Sequence, residues 1–198
     1  MARIGFKWVA LAIATTGLIG IPSAFAGESL GDRDAAAEVS LERQSRVAQC
    51  TQVKTVILEM ENSIREVFRT QKPDAGLQAQ SARMGEMSLH LSQASRQVLQ
   101  IKLSDEQLQS YSDQLVRLFD AMSLNFDRMA SVMIETEQIQ QQMQEQGTDA
   151  TQNSEQNQRL SALSQLLGEM TTLAEGTLQL SGDFKDLLKA FDSYCEGE

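Results

Sequence analysis

The chain is predicted to be all-α: an up-down-up-down antiparallel four-helix bundle with a protruding hairpin of its third and fourth helices, closed by one disulfide. Three observations lead there. Apolar residues recur at alternating steps of three and four, with no sustained period-two run. Pro22 and Pro73 are the only prolines in 198 residues, so almost nothing interrupts helix. The two cysteines, Cys50 and Cys195, both fall on apolar seams at positions that such a bundle brings to one end.

Residues 1–26 carry the three parts of a secretory signal and are set aside from the fold. Arg3 and Lys7 give a positive start, Trp8 to Ile21 is apolar or small, and Ala24-Phe25-Ala26 supplies small residues for cleavage. The apolar run is short for a membrane span of about 20 residues and meets Pro22 at once. The mature protein is therefore expected to start at Gly27, in a periplasm or outside the cell, without membrane insertion. Retention of this segment as an anchor is the alternative. Residues 27–35 are expected to form a flexible segment, and 36–198 a single helical-bundle domain.

The first helix is expected at about 36–70, on a seam of Cys50, Val53, Ile57, Met60, Ile64 and Val67. Lys72-Pro73-Asp74 forces a turn after it. The second, about 76–101, uses Leu77, Met84, Leu91, Ala94, Val98 and Ile101. Ser104 to Gln107 has the spacing of a capping box that opens the third helix. That helix, about 105–146, holds the longest repeat, from Leu108 and Leu115 through Met122, Asn125 and Met129 to Met143. Polar Asn125 in this seam is read as fixing helix registration. Gly147-Thr148-Asp149 ends it. The fourth, about 153–194, is expected to bury Leu160, Leu163, Leu167, Met170, Ala174, Thr177, Ser181, Phe184, Leu188, Phe191 and Cys195. A second stripe, Leu166, Leu173, Leu180 and Leu187, runs beside that seam and widens its apolar face.

A repeat of three and a half residues favours coiled-coil packing, and short connections favour antiparallel neighbours. In an oxidising compartment Cys50 and Cys195 are each other's partner. Registered from that bond, the first helix turns long before the third and fourth end. About 16 residues of each, roughly 130–146 and 153–172, are expected to project about 24 Å as an arm. Its tip is glutamine-rich, from Gln138 to Gln146 and from Gln152 to Gln158, a composition of solvated helix. At its base Val132, Met133 and Ile134 are consecutive and cannot all face one neighbour. With Met143, Leu163 and Leu166 they form the candidate binding surface, for an unidentified protein partner or for self-association.

Charge narrows the partners. The chain carries 17 Lys plus Arg against 27 Asp plus Glu, a net of −10, and the signal removes two further positive charges. No basic stripe offsets this, so nucleic acid is not an expected partner. Catalytic signatures are missing from the sequence: there is one histidine, no Glu-x-x-His pair, no nucleophile elbow and no glycine-rich phosphate loop. The chain is read as non-enzymatic, with no cofactor, acting as an adaptor, chaperone-like protein or accessory subunit. The alternative is a small copper or haem carrier. Met84, Met87 and His90 recur at steps of three near one helix face, and thioether with imidazole suits copper(I) or haem. The four-helix plan resembles the helical-bundle cytochromes in architecture alone, without a Cys-x-x-Cys-His.

Overall fold

The computed structural model describes residues 33–69, 76–145 and 153–196, with side chains from 43 in the first stretch and from 154 in the last. The expected signal, the Lys72-Pro73-Asp74 turn and the Gly147-Thr148-Asp149 break lie outside the described residues. Four helices account for nearly all of what is described: α1 (Arg33–Arg69), α2 (Leu77–Gln100), α3 (Glu106–Glu145) and α4 (Asn153–Glu196).

Local chemistry sets the helix ends. Gly76 is extended (φ −64°, ψ 172°) and its carbonyl accepts the first bond of α2, from Gln80 N–H at 3.1 Å. The other end of α2 stops at Ile101, whose N–H turns back to Val98 at 3.1 Å. α3 departs from the expected Ser104–Gln107 box. Its cap is Asp105, whose Oδ1 accepts from Leu108 N–H at 2.9 Å. A carboxylate is the stronger acceptor beside the positive end of a helix. Ser104 is engaged elsewhere: its N–H donates to Gln49 Oε1 and its Oγ accepts from Gln49 Nε2, each at 2.8 Å.

All four helices contribute to a core at the disulfide end. Cys50, Val53, Ile57 and Met60 of α1 meet Leu91, Ala94 and Val98 of α2, Leu108, Leu115 and Phe119 of α3, and Leu187 and Phe191 of α4. Phe119 and Phe191 are fully buried, and each contributes about 2–3 kcal/mol through burial. A second cluster joins Val67, Met84, Met87, Met129, Ala130 and Met133, with Met170 and Leu173 packed against it. Cys50 and Cys195 are bonded, with Cα atoms 5.9 Å apart. Lys54 pairs with Asp192 at 2.8 Å one turn further on.

Two features differ from the expected packing. The outer half of α4 is turned so that Leu166 is buried while Leu160 and Leu167 are about half exposed; nearer the disulfide, Phe191 of the expected seam is buried beside Leu187 of the second stripe. Toward the disulfide, Phe184, Leu188 and Phe191 of the expected seam join the first core cluster, whereas in the outer half the leucine stripe, Leu166 and Leu173, faces inward. It buries more apolar area than a stripe interrupted by Ala174 and Ser181. The expected arm also begins further out. Ala130 accepts a hydrogen bond from Ser81 at 2.9 Å, and Met129, Met133, Met170 and Leu173 join the second cluster. Val67 of α1 and the first turns of α2 cover this level, which the length estimate had left bare.

Candidate interaction surfaces

At the disulfide end a polar latch surrounds the sulfur bridge. Tyr194, next to Cys195, donates its hydroxyl to Asp105 Oδ2 at 2.7 Å, and the Arg46 guanidinium lies 5.3 Å from its ring centroid. Tyr111 packs edge-on against Phe191 and tilted against Tyr194, at 5.9 and 5.7 Å between centroids. Burial by itself would raise the Asp105 carboxyl, but hydrogen bonds from Leu108 N–H, Tyr194 and Gln107 N–H, with Arg46 nearby, hold it below its ordinary value. Burial and the Asp105 charge push the Tyr194 phenol up, against the opposing pull of Arg46. The Asp105 carboxylate and the Tyr194 hydroxyl are engaged with each other and with the start of α3, while Arg46 Nε is buried without a hydrogen-bond partner among the described residues, so the latch joins α1, α3 and α4.

α2 and α3 approach closely through small residues. Ser81 Oγ donates to Ala130 O and Ser123 Oγ to Ser88 O, both at 2.9 Å, and the Ser88 and Ser123 hydroxyls are 3.0 Å apart. Hydroxyls that reach a neighbouring helix's carbonyls require short interaxial distances. The periodic reading overlooked the cause, although Ser81, Gly85, Ser88, Ser92 and Ser95 recur at alternating steps of four and three. A shallow open groove lies outside the seam, lined by Gly85, Ser88, Leu89, Asp120, Ser123 and Leu124.

Met84 and Met87, the thioethers of the carrier alternative, are buried to 6% and 1% exposure among Val67, Met129 and Met133. His90 lies half-buried one turn on. The sulfurs thus fill the core between three helices.

The expected binding surface divides in two. Val132, Met133 and Leu166 are core residues, exposed by 1%, 5% and 8%, because α1 and α2 reach their level. Ile134 is 45% exposed, and Met143 and Leu163 are half-buried. An ion cluster marks the boundary: Arg128 pairs bidentately with Glu169 and reaches Glu135 at 3.1 Å. The hydrogen bonds that Arg128 donates to Glu169 raise its guanidinium, and the same bonds lower the Glu169 carboxyl. Further out Arg159 Nη1 donates to Gln142 O at 3.2 Å, tying α4 to α3. Asn125 abuts α4 at Gly176, where a Cβ would lie 3.3 Å from its Nδ2. This gives Gly176 a packing reason that its sequence position did not reveal.

Among the described residues no helix is long and apolar enough to cross a membrane. Set against protein-family models, curated proteins and solved structures, the chain matches none.

Proposed function

We propose that the protein is an exported, non-enzymatic interaction protein whose third and fourth helices form a binding arm beyond an up-down-up-down bundle. One observation carries the reading. α1 and α2 contribute to packing as far as Val67, Ser81 and Met84, whereas α3 continues from Ala130 to Glu145 and α4 starts at Asn153. The up-down order is supported by contacts that descend on one helix as they rise on the next. Ser81 meets Ala130 and Ser88 meets Ser123; Asp105 meets Tyr194, Arg128 meets Glu169 and Gln142 meets Arg159.

Export is supported by the signal pattern and agrees with the Cys50–Cys195 bond, since disulfides persist in oxidising compartments. The arm's chemistry is that of an adaptable protein surface: Ile134 exposed, Met143 and Leu163 at the hairpin's edge, and a glutamine tip that hydrogen-bonds without imposing charge. The test is photo-crosslinking in the native periplasm, with a benzophenone amino acid at Gln141 or Met143 of the arm and at Arg96 or Lys189 of the bundle. Discrete adducts with another protein are expected from the arm positions alone. Equal adducts from all four, or none from the arm, would reject the arm as the binding surface.

A further inference from the structure

The solvent side of α4 changes character along its length. From Asp183 to the helix end its exposed residues are mostly charged, among them Asp183, Lys185, Asp186, Lys189 and Asp192. Between Leu160 and Gly182 the exposed positions carry one charge, Glu175. A helix face that meets only water is ordinarily dressed with Glu, Lys and Arg. This stretch holds Leu, Ser, Thr, Ala, Gly and Gln instead, in a chain of net charge −10.

Leu160, Leu167 and Leu178 are 49%, 48% and 50% exposed. Steps of seven and eleven put them on one line of the helix, and Ser164, Thr171 and Ala174 fill the positions between. The six residues alternate by four and three, a heptad seam about 27 Å long. It faces away from the core, which α4 meets through Leu166, Met170, Leu173 and Leu187.

The seam is self-complementary when reversed. Laid antiparallel on its own copy, Leu160 meets Leu178, Ser164 meets Ala174 and Leu167 meets Thr171, so a leucine pair closes each end and each Leu167 between them faces a smaller threonine. Gly168 sits beside the midpoint, where a Cβ would meet nothing within 4 Å. The fold therefore gives no reason for glycine, the poorest helix former after proline, at that point. A second helix crossing there supplies one, since the missing side chain permits a close approach.

We propose that the sparsely charged face of α4 between Leu160 and Leu178 is an isologous dimer interface, occupied by the same face of a second copy running antiparallel about a two-fold axis beside Gly168. Charge selects this occupant and this face. Two acidic chains repel each other wherever their charged faces meet, and this stretch lets them approach with least repulsion. A two-fold contact must also be self-complementary, as this seam is. One helix pair is a small interface beside the ~1,200–2,000 Å² of stable complexes, so association depends on concentration. The proposal uses the outer side of α4 and does not rest on binding by the arm's tip.

Sedimentation velocity on the purified, oxidised protein tests it. A monomer–dimer equilibrium is expected with its midpoint at about 10–100 μM. Raising NaCl from about 0.05 to 0.5 M should strengthen the dimer by screening repulsion. Leu167→Glu, or Thr171→Glu should the first variant fold poorly, is expected to raise the dissociation constant about tenfold or more, with an unchanged melting temperature at dilution. Single cysteines fix the orientation: under mild oxidation Gly168→Cys should cross-link to itself, while Leu160→Cys and Leu178→Cys should cross-link only when mixed. A monomer at every concentration, a dimer indifferent to both glutamates, or self-cross-linking by Leu160→Cys would overturn the proposal. A monomer whose arm still yields adducts overturns the dimer alone, and an intact dimer without arm adducts overturns the arm alone.

Discussion

Gln49 uses both ends of its amide on Ser104, and its neighbour Cys50 is bonded to Cys195. α1 is thereby held to the start of α3 and the end of α4 within two consecutive residues. The cysteines were legible in the sequence because compartment and parity imply their pairing. Gln49 was not, since a glutamine before a seam residue looks like solvated surface until a partner appears 55 positions away. The same holds for Asp105, whose role as cap was hidden by the serine before it. Asp105 and Tyr194 also set a pH window. The lowered carboxyl of Asp105 contributes stability above its ordinary value of 3.8 and loses it as pH falls through the still lower folded value. The raised phenol of Tyr194 contributes below 10.0 and loses it as pH rises through its higher folded value. Asp105→Asn should therefore lower the melting temperature near neutrality but bring it closer to wild type in acid. A constant gap from about pH 7 down to pH 2 would show that ionisation of Asp105 has no part in the latch.

At the scale of the helix, periodicity identified four helical segments but did not orient the last. α4 carries two apolar stripes a few residues apart, and either satisfies a helical period. Choosing between them requires the shapes of the other three helices, which no single stretch of sequence contains. The small-residue seam of α2, Ser81, Gly85, Ser88, Ser92 and Ser95, has a helical period of its own, but it is polar, and the apolar period of the same helix runs through Met84, Met87 and Leu91 beside it. Adjacent alanine substitutions test the orientation of α4. Leu166 is 8% exposed and Leu167 48%, so Leu166→Ala should cost about 2–4 kcal/mol in urea denaturation, and Leu167→Ala, in dilute monomer, about 0.5 kcal/mol or less. Equal costs, or the reverse order, would place the wrong stripe in the core.

Across the whole molecule the architecture is asymmetric. One end holds the disulfide, the Asp105–Tyr194 latch and a core built from all four helices; beyond the second cluster only α3 and α4 remain among the described residues. Helix lengths alone place the end of the shared core near Ala130, and the contacts of Ser81 with Ala130 and of Val67 with Met129 and Met133 move it outward, because length does not report how far α2 and Val67 reach along the longer pair. Joining positions 145 residues apart restricts the unfolded chain and contributes about 4–5 kcal/mol in the chain-entropy account. Replacing both cysteines by alanine should lower the melting temperature by about 10–15 °C while leaving the far-ultraviolet circular dichroism helical. An unchanged melting temperature would mean that the bond constrains nothing the latch does not already hold.

The central claim is that the far ends of α3 and α4 stand outside the shared core, and hydrogen–deuterium exchange of the oxidised, dilute protein measures this most directly. Amides of residues 137–145 and 154–163 are expected to exchange at least about a hundredfold faster than those of 108–126 and 184–195, since opening a two-helix end disrupts far fewer buried contacts than global unfolding. Equal protection along the full length of α3 and α4 would contradict the account, because it would require the hairpin's end to be packed as firmly as the core.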